Sequence, residues 1–327
     1  MRGAGVRPLV VLSGFLGSGK TTLLRRALAG DEAGGTAVLV NEVGEIGLDQ
    51  HQFRHIAERT VLLDNGCLCC VVREDLVQAL RELVDLEESG AAPRARRVVV
   101  ETTGLADPAP IVATIDRDPV LGLRFEVGSV VVTCDAEHAR EHAAMPEWQA
   151  QVACADVIAI TKADRAGGAA AAALGEAVAR RNPAARVVDA RAADALALPA
   201  VPPGAGARPV REHDHDHDHT TGVSTSSVTL ERPVDPALVT VWLTALLHAH
   251  GPSLLRVKAL LDTGADGPLV LDAVQHTVYE PRHLAEWTTP RRSTLVAIAR
   301  DLDARLVTRS FTRAAGQVVS EPEGATA

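Results

Sequence analysis

The sequence predicts an α/β protein: a mostly parallel sheet covered by helices on both faces, followed by a smaller α+β domain. Three observations predict it. Over about the first 190 residues, short runs rich in Val, Leu and Ile alternate with longer stretches of helical period. Near-continuous apolar strands between helices indicate a parallel sheet buried on both faces. A glycine-rich stretch stands directly between the first apolar run and the first helix, the position at which a chain can turn around an anion. The alternation then fades into a Pro- and Gly-containing segment with a His/Asp run, and a different, strand-rich pattern follows.

The elements come in this order. Strands are expected at Leu9 to Leu12, Ala37 to Val40, Val61 to Leu63, Val98 to Val100, Ser129 to Thr133, Val157 to Ile160 and Val187 to Val188. Helices are expected at Thr21 to Ala29 and at Arg73 to Glu88, where Leu76, Ala79, Leu80, Leu83 and Val84 form one apolar stripe. After the linker, strands are expected at Ser224 to Leu230, Leu254 to Leu260, Leu269 to Tyr279 and Thr294 to Ile298, with helices near Pro236 to Ala249 and Asp301 to Leu306. The organisation expected is a parallel-sheet domain over residues 1–205, a His/Asp-rich linker over 206–222, a smaller domain over 223–312 and a flexible tail over 313–327.

Composition narrows the function. A formal charge of −9 argues against nucleic-acid and anionic-membrane partners, which need a basic face to neutralise phosphates. The single short apolar run near the start, broken at once by glycines, is neither a signal h-region nor a span, so the cytoplasm is expected. Aromatic residues make up only 2%, which leaves the cores to Val, Leu, Ile and Ala. Of five cysteines, Cys67, Cys69 and Cys70 crowd into four positions, which reads as metal or redox chemistry in a reducing compartment.

Gly14-Phe15-Leu16-Gly17-Ser18-Gly19-Lys20-Thr21 has the Walker A spacing, after a strand and before a helix. Its glycines allow successive amides to face the phosphates. Lys20 supplies a charge near the β and γ groups, and Thr21 supplies a hydroxyl to magnesium. Gly14, Gly17, Ser18, Gly19, Lys20, Thr21 and Thr22 make up the expected phosphate-binding set. Glu101 ends a buried run three residues before Gly104, placed to hold magnesium or its water while the glycine amide senses the γ-phosphate. Lys20, Thr21 and Glu101 are therefore the expected catalytic residues of this P-loop domain.

Thr161-Lys162-Ala163-Asp164 follows another apolar run and is similar to the guanine-recognition motif. A carboxylate at Asp164 accepts both the ring N–H and the exocyclic amine of guanine, whereas adenine presents an acceptor there. Lys162 would lay its aliphatic stem on the base. Thr161 stands where Asn is usual. GTP is thus the expected nucleotide.

At the thiol cluster, soft sulfur ligands before a helix suit zinc or Cu(I), with zinc leading. Three thiolates leave a tetrahedral position open for a metal that must be passed on. Cys134 and Cys154, isolated near apolar runs, read as core thiols. His213, His215, His217 and His219 alternate with Asp214, Asp216 and Asp218, a loose and fast-exchanging collector of divalent ions. The pairs His51/His55 and His138/His142 read as polar surface.

Asn41-Glu42-Val43-Gly44-Glu45, the cluster Gly66-Cys67-Leu68-Cys69-Cys70 and Glu101-Thr102-Thr103-Gly104-Leu105-Ala106-Asp107-Pro108 together resemble the CobW-type metallochaperone GTPases, relatives of the nickel-insertion GTPases. The resemblance weakens beyond residue 190 but continues through Arg256-Val257-Lys258 and Arg292-Ser293-Thr294-Leu295-Val296, with Ala259 replacing the usual glycine. It implies that the thiol motif binds metal and that Asn41-Glu42 lies in a nucleotide-responsive switch. It also implies that Glu42 is a carboxylate near magnesium or the transferred metal, and that delivery to a client metalloprotein is coupled to GTP. No residue stands out as a water-positioning glutamine or arginine finger, so slow intrinsic hydrolysis is expected. The competing readings are a metal buffer with incidental GTP binding, a small-molecule P-loop kinase, and an activator inserting cobalt or iron into one enzyme.

Overall fold

A computed structural model describes residues 6–29, 35–40, 60–62, 71–192, 196 and 222–316. The chain divides into two compact units, Met1–Pro203 and Gly204–Ala327. In the first, β1 (Arg7–Gly14), β2 (Thr36–Val40), β3 (Thr60–Leu62), β4 (Arg97–Glu101), β5 (Phe125–Asp135), β6 (Val157–Thr161) and β7 (Arg186–Asp189) form one sheet in the order β3-β2-β4-β1-β5-β6-β7. Every neighbouring pair is parallel. Parallel strands require crossover segments, and the helices are α1 (Lys20–Leu28), α2 (Val71–Glu88), α3 (Pro108–Arg117), α4 (Ala139–Ala143), α5 (Pro146–Cys154), α6 (Ala163–Ala166) and α7 (Gly168–Arg181). Helices on both faces explain why the middle of each of β1, β2, β4 and β6 is an unbroken apolar run. Leu9 to Leu12, Val98 to Val100 and Val157 to Ile160 are all buried.

Local sequence sets the helix ends. Asp107 accepts from the Ala109 amide and Pro108 opens α3, while Pro146 opens α5, where a missing N–H costs nothing. The stripe Leu76, Ala79, Leu80, Leu83 and Val84 of α2 is buried as its spacing predicts.

The second unit is an antiparallel sheet carrying two helices. Its strands are β8 (Val223–Leu230), β9 (Leu254–Leu261), β10 (Leu269–Val274), β11 (Thr277–Val278), β12 (Arg282–His283) and β13 (Ser293–Arg300), in the order β11-β10-β9-β13-β8 with β12 also paired to β10. Helices α8 (Pro236–His250) and α9 (Ala304–Gly316) pack Val239, Leu243, Leu246, Val307 and Phe311 into one core with Val257, Ala259, Leu295 and Ala297.

Two expectations are corrected here. The strand expected over Leu269 to Tyr279 is not one strand: the chain reverses at Gln275, whose φ is 52°, and Val278 returns to pair with Ala273. The last helix does not span Asp301 to Leu306. It begins at Ala304 and continues to Gly316, so residues 313–316, expected in the tail, are helical. Cys67, Cys69, Cys70, Glu42, His213, His215, His217 and His219 lie outside the described residues, as do His51 and His55.

Candidate functional site

Strand order reverses around β1, with β4 and β2 on one side and β5 and β6 on the other. Ligands of such sheets bind beyond the carboxyl ends of the strands at that reversal. The residues gathered there are Gly14 to Thr22, Glu101 to Asp107, and Thr161 to Asp164.

The phosphate loop is seated by hydroxyl groups from β5 and β6. Ser18 is buried and its Oγ lies 2.6 Å from Thr133 Oγ1, while Thr161 Oγ1 donates to the Ser18 carbonyl at 2.7 Å. Gly17 and Gly19 have φ of 67° and 94°, and Gly19 caps α1. These conformations turn loop amides to one side at a helix N-terminus, the arrangement that takes phosphate. Thr161, absent from the usual motif, thus braces the loop, and its methyl group covers Gly19.

Lys20 Nζ donates to the carbonyls of Gly14 at 2.9 Å and Phe15 at 3.2 Å. Burial lowers its pKa, with Glu101 acting in the opposite sense. Thr21 Oγ1 donates to Glu101 Oε1 at 2.7 Å, which brings the expected hydroxyl and carboxylate together. A hydroxyl and a buried carboxylate are hard oxygen donors that fit magnesium. Thr22 is exposed on the first turn of α1.

The loop after β4 is pinned at both ends. The Thr102 amide donates to Leu12 O at 2.9 Å, and Asp107 caps α3. A Cβ on Gly104 would stand 2.7 Å from the backbone N and Cα of Leu16, so only glycine lets this loop lie against the phosphate loop.

Of the base-reading residues, Asp164 is exposed at the start of α6. Lys162 has φ of 54°, and its Nζ is held 2.7 Å from Asp135 Oδ2. Nothing in the sequence around Asp135 announces that anchoring. Asp135 is buried, which pushes its pKa up; hydrogen bonds from Lys162, His138 and the Glu137 amide outweigh the burial and hold it below the usual value. His138 Nδ1 lies 2.9 Å from the same oxygen, and His142 stacks on His138 at 5.8 Å and meets Phe15 at 4.8 Å. His142 thus packs against Phe15 of the phosphate loop, while His138 is exposed as expected of polar surface, with its ring bonded to Asp135. Burial lowers the pKa of His142. Asp135, Glu137 and His138 bring three donor atoms within 4.8 Å of one another, but the Lys162 ammonium already occupies Asp135 and opposes a cation there. Cys134 and Cys154 are buried and form no disulfide among the described residues, and burial pushes Cys134 up to about 12, as inert core cysteines require.

Replacing Asp135 by Asn keeps the shape and removes the charge that fixes Lys162. Guanine-nucleotide affinity should fall about tenfold, since Lys162 loses its anchor, and stability should fall by about 2 kcal/mol, the loss of a charge-assisted hydrogen bond. Because the folded pKa is depressed, the wild-type contribution is present above the ordinary carboxylate value and lost as pH falls below it, whereas the D135N protein lacks that dependence. Nucleotide titration and urea unfolding at two pH values check both.

The chain is 40% identical over 164 residues to the zinc chaperone YjiA of Escherichia coli, covering 49% of this chain and 51% of that one. It is 34% identical over 137 residues to zinc-regulated GTPase metalloprotein activator 1 of Schizosaccharomyces pombe, covering 40% and 32% respectively. The aligned stretches thus span about half or less of these curated relatives. The crystal structure of Zn(II)-bound YjiA GTPase from E. coli superposes with a TM-score of 0.70 at 29% identity, covering 94% of this chain and 99% of that one. The CobW/HypB/UreG nucleotide-binding domain matches residues 8–189 and the cobalamin synthesis protein cobW C-terminal domain matches residues 223–315, so the chain belongs to the CobW/HypB/UreG family.

Proposed function

We propose that the chain is a cytoplasmic, GTP-hydrolysing metallochaperone that binds zinc at Cys67, Cys69 and Cys70 and delivers it to a client metalloprotein. The observation that carries the nucleotide half is the joining of Lys20, the Thr21–Glu101 pair and the Lys162–Asp164 motif at one sheet end. The metal half is supported by the chemistry of three clustered thiols and by the names of the relatives, a zinc chaperone and a zinc-regulated GTPase activator.

Each residue has a defined task. Lys20, on leaving the Gly14 and Phe15 carbonyls, gives its ammonium to the terminal phosphates, where charge spreads during transfer. Thr21 and Glu101 would hold magnesium, which supplies neutralising charge on the β and γ oxygens. Gly104 keeps its loop within reach of the terminal phosphate, and Asp164 selects guanine. GTP orders the segment Asn41 to Asp49, with Glu42 as its carboxylate, and reshapes the thiol site; hydrolysis releases that order. His213, His215, His217 and His219 collect divalent ions for the thiols.

The test is GTP turnover by metal-stripped protein, with and without one equivalent of zinc, repeated after changing Cys67, Cys69 and Cys70 to Ser. Zinc should change turnover or nucleotide affinity about tenfold, equivalent to about 1.4 kcal/mol of coupling, and GTP should change zinc affinity by the same factor. The serine variant should lose the response. Turnover that ignores zinc in both proteins would sink the coupling and leave a GTPase carrying a zinc store.

A further inference from the structure

Gln151, on α5, is fully buried, and both protons of its amide are spent on one loop. Nε2 donates to Gly104 O at 3.1 Å and to Ala106 O at 3.0 Å. Two carbonyls facing the same atom fix which end of the amide is nitrogen. Its Oε1 is buried and accepts no hydrogen bond among the described residues.

These bonds do more than hold the loop down. In a trans peptide the C=O and the following N–H point in opposite directions. Drawing the Gly104 and Ala106 carbonyls toward Gln151 therefore turns the amides of Leu105 and Asp107 away from it. The loop is also tied at its two ends: the Thr102 amide is bound to Leu12 and its hydroxyl to Ser13, Ala106 N donates to Thr103 O at 3.2 Å, and Asp107 caps α3. On its outer side Gly104 lies against Leu16 of the phosphate loop. A side chain on a different crossover helix thus sets the peptide planes of the segment that borders the terminal-phosphate position.

We propose that Gln151 is the positioning residue through which the loop after β4 distinguishes a nucleoside triphosphate from a diphosphate. Gln151 touches neither nucleotide nor metal and acts through Gly104 and Ala106.

The inference rests on the guanine-nucleotide reading above, and the experiment separates the two. Affinities for GDP and for a non-hydrolysable GTP analogue are measured on the full chain as wild type, Gln151→Met and Gln151→Glu. Met is of similar size without donors, and Glu places a carboxylate against two carbonyls. Both variants should bind the triphosphate analogue about tenfold more weakly while GDP affinity moves less than about twofold. Equal losses for both nucleotides, or no loss for either, would overturn the proposal and assign Gln151 to packing alone. Wild-type protein that binds neither nucleotide would overturn the guanine-nucleotide reading itself. As a second measurement independent of any variant, hydrogen exchange of the wild type should show residues 104–107 protected by the triphosphate analogue and not by GDP. Identical protection by the two would also overturn the inference.

Discussion

Changing Asp164 to Asn should lower kcat/KM for GTP by about 1000-fold and make xanthosine triphosphate the preferred substrate. Guanine offers a ring N–H and an exocyclic amine to one carboxylate, and two charge-assisted hydrogen bonds at about 1.5–3 kcal/mol each account for roughly 4 kcal/mol. An asparagine presents an amide donor where xanthine carries a carbonyl, so the new pairing is complementary and the old one leaves a donor facing a donor. Asp164 is exposed on the first turn of a short helix, so the substitution should leave thermal stability unchanged. Loss of GTP turnover with unchanged Tm and gain of xanthosine triphosphate turnover would locate base reading at this carboxylate. A variant that still prefers GTP would place base selection elsewhere in the site.

The parts of this site that could be read from the sequence are those whose geometry is local. Gly14 to Thr21 is recognisable from its own spacing and the strand and helix around it, although its seat on Thr133 and Thr161 is not. Glu101 is legible because it ends an apolar run. Asp135 ends an apolar run in the same way, yet its meaning depends on the pairing of β5 with β6, which sets Asp135 beside Thr161 and brings Lys162 within reach. That register is a tertiary fact. Thr161 departs from the guanine motif in sequence, and the structure shows its hydroxyl bracing Ser18. Gln151 sits in a helix whose residues Trp148 to Cys154 are all buried, so no amphipathic pattern marks it. The reversal at Gln275 is hidden because the turn at Gln275-His276 carries neither glycine nor proline, the residues that usually announce one.

Gly14→Ala and Gly17→Ala should behave very differently, although both glycines belong to one loop. At Gly17, with φ of 67°, an added Cβ meets nothing within 4 Å, so only backbone strain opposes it, about 1 kcal/mol. At Gly14, with φ of 140°, the same Cβ would stand 2.2 Å from Thr133 Oγ1, 2.6 Å from Thr133 O and 2.8 Å from Ser18 Oγ. The hydroxyls can rotate, but the carbonyl belongs to β5 in the middle of the sheet and cannot withdraw without breaking its pairing. Overpacking and strain together should cost about 4 kcal/mol, and the loop must shift to relieve them. That shift moves Ser18 and, through it, the amides facing the phosphates, so nucleotide affinity should fall at least about 100-fold in G14A and less than about tenfold in G17A. Unfolding and nucleotide titrations on the two variants check this. If G14A bound nucleotide as G17A does, the loop would owe its shape to its own sequence and not to its seat on β5. Removing the Thr133 hydroxyl in G14A should restore little, because the 2.6 Å approach to the backbone oxygen remains.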